Sequence, residues 1–411
     1  MFDFGQPRPA AQRRDGPRGH YDRWLLLAIA GLIAFGIVMV ASASIAISDG
    51  SDLGPFYYLK KHLLFIALGG SAGFVFTRIE LRMLERRGLE LILLAVFSLL
   101  LVFVPHLGVK VNGARRWLDL GITGFQPVEA VKLALILYIA SYMVRHQRAL
   151  ERDFWGAARP VGVTLLLAFL LLAQPDFGSA LLVMAITAGM IWLGGARMRN
   201  LLVMASPLIP LFIWLAFSRS YRVERITSFL DPWKDPFTDG FQLTQALIAV
   251  GRGHWFGVGL GNSIQKLFYL PEAYTDFILA VIAEELGFFG IVLVLALIGL
   301  LVGRALVLGL RGVELGQRYA GYVCFGVALS IGLQSLVSIG VNLGVLPTKG
   351  LTLPLISSGG SSVIMTLVML GVLLRASYEI ARAADARRLG ANAATTALAD
   401  AAAPAHRKEA A

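Results

Sequence analysis

The sequence predicts an all-α polytopic membrane protein with about ten transmembrane helices, and three observations carry that prediction. Of the 411 residues, 57% are hydrophobic and only 15% charged, and the mean hydropathy is +0.70, outside the range of ordinary soluble domains. The apolar residues fall in separate runs near 24–44, 62–77, 88–104, 129–144, 160–173, 179–194, 200–217, 276–303, 319–340 and 360–376. The arginines gather in alternate connections: Arg78, Arg82, Arg86 and Arg87 after the second run, then Arg145, Arg148, Arg152 and Arg159 after the fourth. The same holds for Arg197 and Arg199, for Arg304, Arg311 and Arg318, and for Arg375, Arg382, Arg387 and Arg388. Bases favour the cytoplasmic side, so both termini are predicted inside.

The net charge of +11 does not point to nucleic acid, because the bases lie between apolar runs and beside the termini rather than in a basic, aromatic-interleaved domain. A single cysteine, Cys324, sits inside an apolar run, which excludes an intrachain disulfide and a cysteine metal cluster. Residues 1–23, with Arg8, Arg13, Arg14, Arg18 and Arg23 among Pro and Gly, read as a disordered basic cytoplasmic tail. The first run ends in Ala41, Ser42 and Ala43, which imitates a signal-peptidase site. Its apolar core of about 20 residues is too long for a signal peptide and reads as a retained span. Residues 24–376 then form the membrane domain, and 377–411, rich in alanine from Ala383 onward, a low-complexity cytoplasmic tail. No internal repeat is visible, and with it no sign of the inverted halves of many transporters.

Four outward connections hold nearly all the unusual polar chemistry: 105–128, 174–178, 218–275 and 341–359. In the first, Arg115 and Arg116 offer forked donors for a phosphate or carboxylate on the side where bases are not expected. Glu129 and Lys132, three apart at the start of the fourth span, read either as a structural ion pair or as catalytic groups. Asp176 in QPDFGSA reads either as a helix cap or as a site residue.

The connection 218–275 lies between spans seven and eight and is too long to be passive. It carries Arg219, Arg222 and Arg225, then a short amphipathic helix with Gln242 and Gln245 three apart. Those amides suit sugar hydroxyls, or lie in water on a helix flat against the bilayer. The glycines at 251, 253, 257, 259 and 261 resemble a phosphate loop only superficially, since no Lys-Ser/Thr follows in register. Next comes LPEAYTDFILAVIAEELGFFG, 270–290. A helix opening at Pro271 would put Glu272 and Asp276 on one face at the membrane surface. Glu284 and Glu285 would then lie roughly 12 Å deeper, where acids mark a functional interior or pair with bases. In the last connection Lys349 is enclosed by Pro347, Gly350 and Pro354, and Gly359 and Gly360 permit close backbone approach to a ligand.

GARRW, FQPVE, QPDFG, LPEAYTDF, AEELGF and LPTKGLTLPLISSGGSS, in this order, resemble the SEDS (shape, elongation, division and sporulation) family of bacterial peptidoglycan polymerases. The resemblance covers nearly the whole chain. QLTQALIAVGRGHWFGVGLGNSIQKLFYLPEA and LPTKGLTLP are similar to its division branch rather than its elongation branch. Val128, Tyr274, Ser338 and Ser358 stand where the family commonly has Ser, His, Asn and Tyr. The resemblance implies a glycosyltransferase that polymerises lipid II onto a nascent glycan strand in the inner membrane at the division septum. Its partners would be a class B penicillin-binding transpeptidase of the FtsI type and membrane proteins of the FtsQ, FtsL, FtsB and FtsN type. It places the catalytic carboxylate on Asp276 and a ligand-facing amine on Lys349. Arg115, Arg116, Glu272, Gln242, Gln245, Glu129, Lys132 and Ser361 are supporting residues. A divalent cation, Mg or Mn, held by Asp276 or Glu272 is compatible with the pattern. Two other readings stand beside it: a lipid II flippase whose route runs past Glu284, Glu285, Glu129 and Lys132, and a division scaffold.

Overall fold

A computed structural model of the protein describes residues 19–49, 54, 56–111, 114–119, 121, 124–218, 220–238 and 240–402. Most of the basic N-terminal tail, Arg219 and the last residues therefore lie outside the described residues. Each apolar run falls on a helix: α1 (Arg23–Asp49), α2 (Tyr57–Arg78), α3 (Leu81–Arg86), α4 (Gly88–Leu101), α5 (Pro127–Arg145), α6 (Gln147–Arg152) and α7 (Phe154–Ala173). There follow α8 (Phe177–Leu193), α9 (Met198–Phe217), α10 (Ser220–Leu230), α11 (Phe241–Gly253), α12 (Ile278–Glu314), α13 (Arg318–Asn342) and α14 (Gly360–Ala402). Among the described residues eight helices are long and apolar enough to cross a membrane, and α4 and α8 are shorter apolar helices.

The all-α expectation needs one correction. The connection before α5 folds into an antiparallel sheet of β1 (Gly108–Val111), β2 (Ala114–Asp119) and β3 (Gly124–Phe125), in that spatial order. Val109 pairs with Trp117, Lys110 with Arg115 and Leu118 with Phe125. Valines alternating with polar residues suit such a pleated surface, a period that the arginines concealed in the sequence.

Both ends of the membrane domain carry order beyond the apolar runs. α14 runs on to Ala402, because an alanine-rich stretch is a strong helix former as well as a low-complexity one. At the other end Asp22 accepts hydrogen bonds from Arg304 Nε and Nη2 at 2.9 and 2.6 Å, and Tyr21 packs on Tyr378 with ring centroids 5.6 Å apart.

α5 is the central helix, with 78% of its apolar window buried against 6% for α9 at the periphery. A helix apolar all round belongs inside a bundle, and α5 accordingly hides Glu129 and Lys132. Lys132 Nζ lies 2.8 Å from Glu129 Oε2 and donates to Gln334 Oε1 of α13 at 2.6 Å. The structural ion pair is thus present.

The expected helix from Pro271 does not form. Residues 270–277 make turns instead, with Glu272 at φ 59 and its carbonyl accepting from Thr275 and Phe277 N–H at 3.1 and 3.2 Å. α12 starts at Ile278 and is broken at Gly287, φ 67 and ψ −158. The break leaves carbonyls that a bilayer core cannot hydrate. Val258 and Gly259 N–H donate to Glu284 and Glu285 carbonyls at 2.9 and 3.0 Å, while Phe288 and Phe289 N–H reach His254 and Trp255 carbonyls at 2.9 and 3.3 Å. The glycine run thus serves close packing, since a Cβ on Gly257 would stand 2.0 Å from the Glu285 carbonyl oxygen.

Side chains lock the same contact. Glu284 and Glu285 are fully buried. Arg252 Nη1 meets Glu284 at 2.7 Å, and Ser263 Oγ and Ile264 N–H donate to the same carboxylate. Lys266 Nζ meets Glu285 at 2.6 Å, and Ser42 Oγ of α1 donates to it at 2.7 Å. The deep acids are therefore partners for the preceding loop.

Removing one member of such a buried pair strands the other. Glu285→Ala should lower unfolding stability by about 3–5 kcal/mol, whereas Glu285→Leu combined with Lys266→Met should recover most of it. Denaturation of the purified protein in detergent checks this; equal stabilities for the single and double variants would contradict the pairing.

Candidate active site

The turns at 271–277, held against the bundle by the loop before them, open onto a cavity of about 960 Å³. Its walls come from the first turns of α2, from the three strands, the start of α5, the 175–179 segment, α10, α11 and the segment 348–362. Asp276, Glu272, Lys349, Arg116, Gln242, Glu129 and Ser361 all line it.

Asp276 is half-buried. Burial raises its pKa to about 7, the Glu272 carboxylate pushes the same way, and Arg225 opposes them. The backbone at 349–351 passes close because Gly350 has no side chain: a Cβ there would lie 3.0 Å from Asp276 Oδ2. Tyr274, two residues before, packs in a tilted arrangement on Tyr58 of α2, with ring centroids 4.7 Å apart. Burial and that neighbour push its phenol pKa upward.

A cationic flank lies on the 174–178 turn. Arg116 Nε and Nη2 donate to the Gln174 and Pro175 carbonyls at 3.3 and 2.5 Å. Lys349 Nζ sits 4.4 Å from the Phe177 ring centroid, a cation–π contact that orients the amine. Arg225 Nη1 reaches the Thr348 carbonyl at 3.4 Å. Asp176 caps α8, accepting from Ser179 N–H at 3.1 Å and Ser179 Oγ at 2.8 Å, so its capping role accounts for its contacts. Ser361 Oγ accepts from Gln126 N–H at 3.0 Å, tying α14 to the segment before α5.

Three sequence candidates fall outside the cavity wall. Arg115 is exposed, because successive side chains on a strand point to opposite faces and Arg116 takes the inner one. Gln245 lies three residues beyond Gln242 on α11 and does not reach the lining. Lys132 is buried behind Glu129. Two cations were not singled out: Lys61, 5.9 Å from the Phe65 ring centroid, and Arg225, both in the lining. The apolar run starting at 62 hid Lys61, since α2 begins five residues earlier, at Tyr57. Arg225 sits on α10, whose helical spacing was not read.

Glu272 and Asp276 are the carboxylates positioned for a cation. No cluster of three or more His, Cys, Asp or Glu suited to a metal occurs among the described residues. Mg²⁺ commonly takes one or two carboxylates with substrate phosphates, which this pair fits.

Comparison with known proteins gives a consistent picture. A family model described as cell cycle protein, FtsW/RodA/SpoVE, matches residues 23–382. The probable peptidoglycan glycosyltransferase FtsW of Xanthomonas oryzae pv. oryzae is 52% identical over 374 residues, 91% of this chain and 76% of that protein. The corresponding protein of Coxiella burnetii is 45% identical over 87% of this chain and 96% of its own. Among solved structures, a chain of a peptidoglycan synthase complex that coordinates polymerization and crosslinking superposes with a TM-score of 0.71 at 33% identity, covering 88% of this chain and 98% of that one. The rod shape determining protein RodA of Thermus thermophilus gives 0.62 at 31% identity, covering 87% and 96%. With the family pattern spanning the helices and every loop that walls the cavity, the chain belongs to the SEDS family of FtsW, RodA and SpoVE.

Proposed function

We propose that the protein is a peptidoglycan glycosyltransferase that polymerises lipid II into β-1,4 glycan strands during septal wall synthesis. The observation that carries this reading is Asp276: a carboxylate with a pKa raised to about 7, facing a cavity lined by Lys349, Arg116, Arg225 and Lys61. Sugar-diphosphate chemistry needs that combination, a base for a hydroxyl and cations for a departing diphosphate.

In this reading Asp276 takes the proton from the acceptor GlcNAc 4-hydroxyl as its oxygen attacks the anomeric carbon of the donor MurNAc. The bond to the diphosphate oxygen breaks with inversion, and the polyprenyl diphosphate leaves without needing an acid. Lys349, braced on Phe177, and Arg116, braced on two carbonyls, meet the developing charge without reorganising. Gln242 is placed to orient sugar hydroxyls. Glu272 or Asp276 would hold a divalent cation, which would supply Lewis-acid stabilisation of the leaving group. The flippase reading needs free ionic groups along a route, whereas Glu284, Glu285 and Lys132 are each engaged by a partner.

The same proposal gives ten spans, counting α4 and α8, with both termini cytoplasmic and the cavity at the outer face of the inner membrane at the septum. Alternating arginines support that orientation. A class B penicillin-binding transpeptidase is the proposed partner, supported by the likeness to a synthase complex. Division proteins of the FtsQ, FtsL, FtsB and FtsN type complete the proposed setting.

Polymer formation from purified lipid II by the protein with its transpeptidase tests the function directly. Asp276→Asn should reduce the rate by about 10² to 10⁴-fold while leaving folding and lipid II binding intact. Wild-type polymer from well-folded Asp276→Asn protein would remove Asp276 from the chemistry.

The pH profile tests the environment. The base must be unprotonated, so turnover should rise with pH through about 7 and level off above it. Glu272→Gln removes a like charge and should move that limb to lower pH; an unmoved limb would contradict the coupling. Because the folded pKa lies above the ordinary 3.8, the fold favours the protonated form. This group's contribution to stability therefore declines as pH rises from near 4 through about 7.

The cations are tested by Lys349→Ala and Lys349→Arg. Alanine should impair polymerisation strongly and arginine restore it only in part, since a planar fork does not replace a compact ammonium. Normal turnover in the alanine variant would leave Lys349 as an interfacial lysine.

A further inference from the structure

We propose that Asn342 is a positioning residue for the general base, holding the backbone of Asp276 and the first turn of α12 in one arrangement. This rests on the reading of Asp276 as that base. Asn342 is the last residue of α13 and is fully buried. Its Nδ2 donates to the Asp276 carbonyl at 2.9 Å and to the Ser338 carbonyl at 2.8 Å. Its Oδ1 accepts from Ala280 N–H at 3.1 Å. Two carbonyls on one side and an N–H on the other admit only this amide orientation, and every polar group of the side chain is used.

The physical need is plain. A helix begins with N–H groups that have no intrahelical acceptor, and Phe277, which precedes α12, makes no side-chain capping bond. Ala280 N–H reaches the Phe277 carbonyl at 3.1 Å, and the Asn342 amide supplies the second acceptor from another helix. The cap therefore comes from α13, and the same amide grips the residue that carries the base. The chain leaves α13 at Asn342 and returns eight residues later at Gly350, against the Asp276 carboxylate. One side chain thus sets the base relative to the segment bearing Lys349.

Glu272 and Arg225 act on the Asp276 carboxyl through charge, and Tyr58, Tyr274 and Lys349 line the same cavity. Asn342 hydrogen bonds to none of these side chains among the described residues, so replacing it with alanine removes a constraint and no charge. A loosened Asp276 then spends less time at the distance and angle from which it can take a proton.

The test uses the full-length protein with its transpeptidase and lipid II. Asn342→Ala should lower kcat by about 10- to 100-fold, the scale of a misplacement of about 1 Å. KM for lipid II should stay within about twofold. Asn342→Asp keeps an acceptor for Ala280 but has no donor for Asp276, so its kcat should fall at least as far. Ser338→Ala is the control: its Oγ has no hydrogen-bond partner among the described residues, and neither kcat nor KM should move. Thermal unfolding is measured alongside, and turnover is expressed per folded molecule. If either Asn342 variant turns over normally on that basis, or loses activity only through KM, the positioning role is overturned. Should the alanine protein fail to fold, Asn342→Asp decides by the same readouts. An inactive Asp276→Asn beside normal Asn342 variants overturns this inference alone, whereas an active Asp276→Asn overturns the base itself.

Discussion

The cavity end of this protein depends on one constraint: backbone and charge that leave water must find partners inside the protein. α12 violates its own regularity at Gly287, and the loop before it satisfies the result, carbonyl for N–H and base for acid. Once that loop is seated, the 271–277 turns have a fixed origin, and Asp276 projects into the cavity from a defined place. The placement of Asp276 follows from the satisfaction of a broken helix, as strain elsewhere in proteins is held by surroundings that over-determine it.

Four acids within fourteen residues show how environment divides one chemical type into separate roles. Glu284 and Glu285 are wholly enclosed and matched by Arg252 and Lys266, which makes them structural. Asp276 is enclosed without a close ion pair among the described residues and has a carboxylate neighbour, so its proton affinity rises toward neutrality. Glu272 is exposed, receives Thr275 Oγ1 at 2.6 Å and acts on Asp276 through charge.

Much of this was legible in the sequence. Apolar runs marked each long helix, because lipid-length hydrophobicity is a local property. The motif loops identified the family and seven of the cavity residues. What escaped was non-local or aperiodic. The Gly287 break interrupts an apolar run without changing its composition, and the partners of Glu284 and Glu285 lie 32 and 19 residues away in the chain. Lys61 was concealed where α2 begins in polar residues, and the strand period of β2 by its two arginines. Asn342 looked like the end of a span, since nothing near it in sequence reveals that its amide serves another helix.

The clamp on α12 also has a consequence for biogenesis. Arg252, Ser263, Lys266 and Ser42 all precede Glu284 and Glu285 in the chain, so every partner has been synthesised before the two acids leave the ribosome. An acid at the centre of an inserting helix costs roughly 2.5–3.5 kcal/mol. Because its counter-charges arrive first, α12 can be handed from the translocation machinery to the bundle with its carboxylates already matched, and the order of residues along the chain becomes part of how the membrane accepts it.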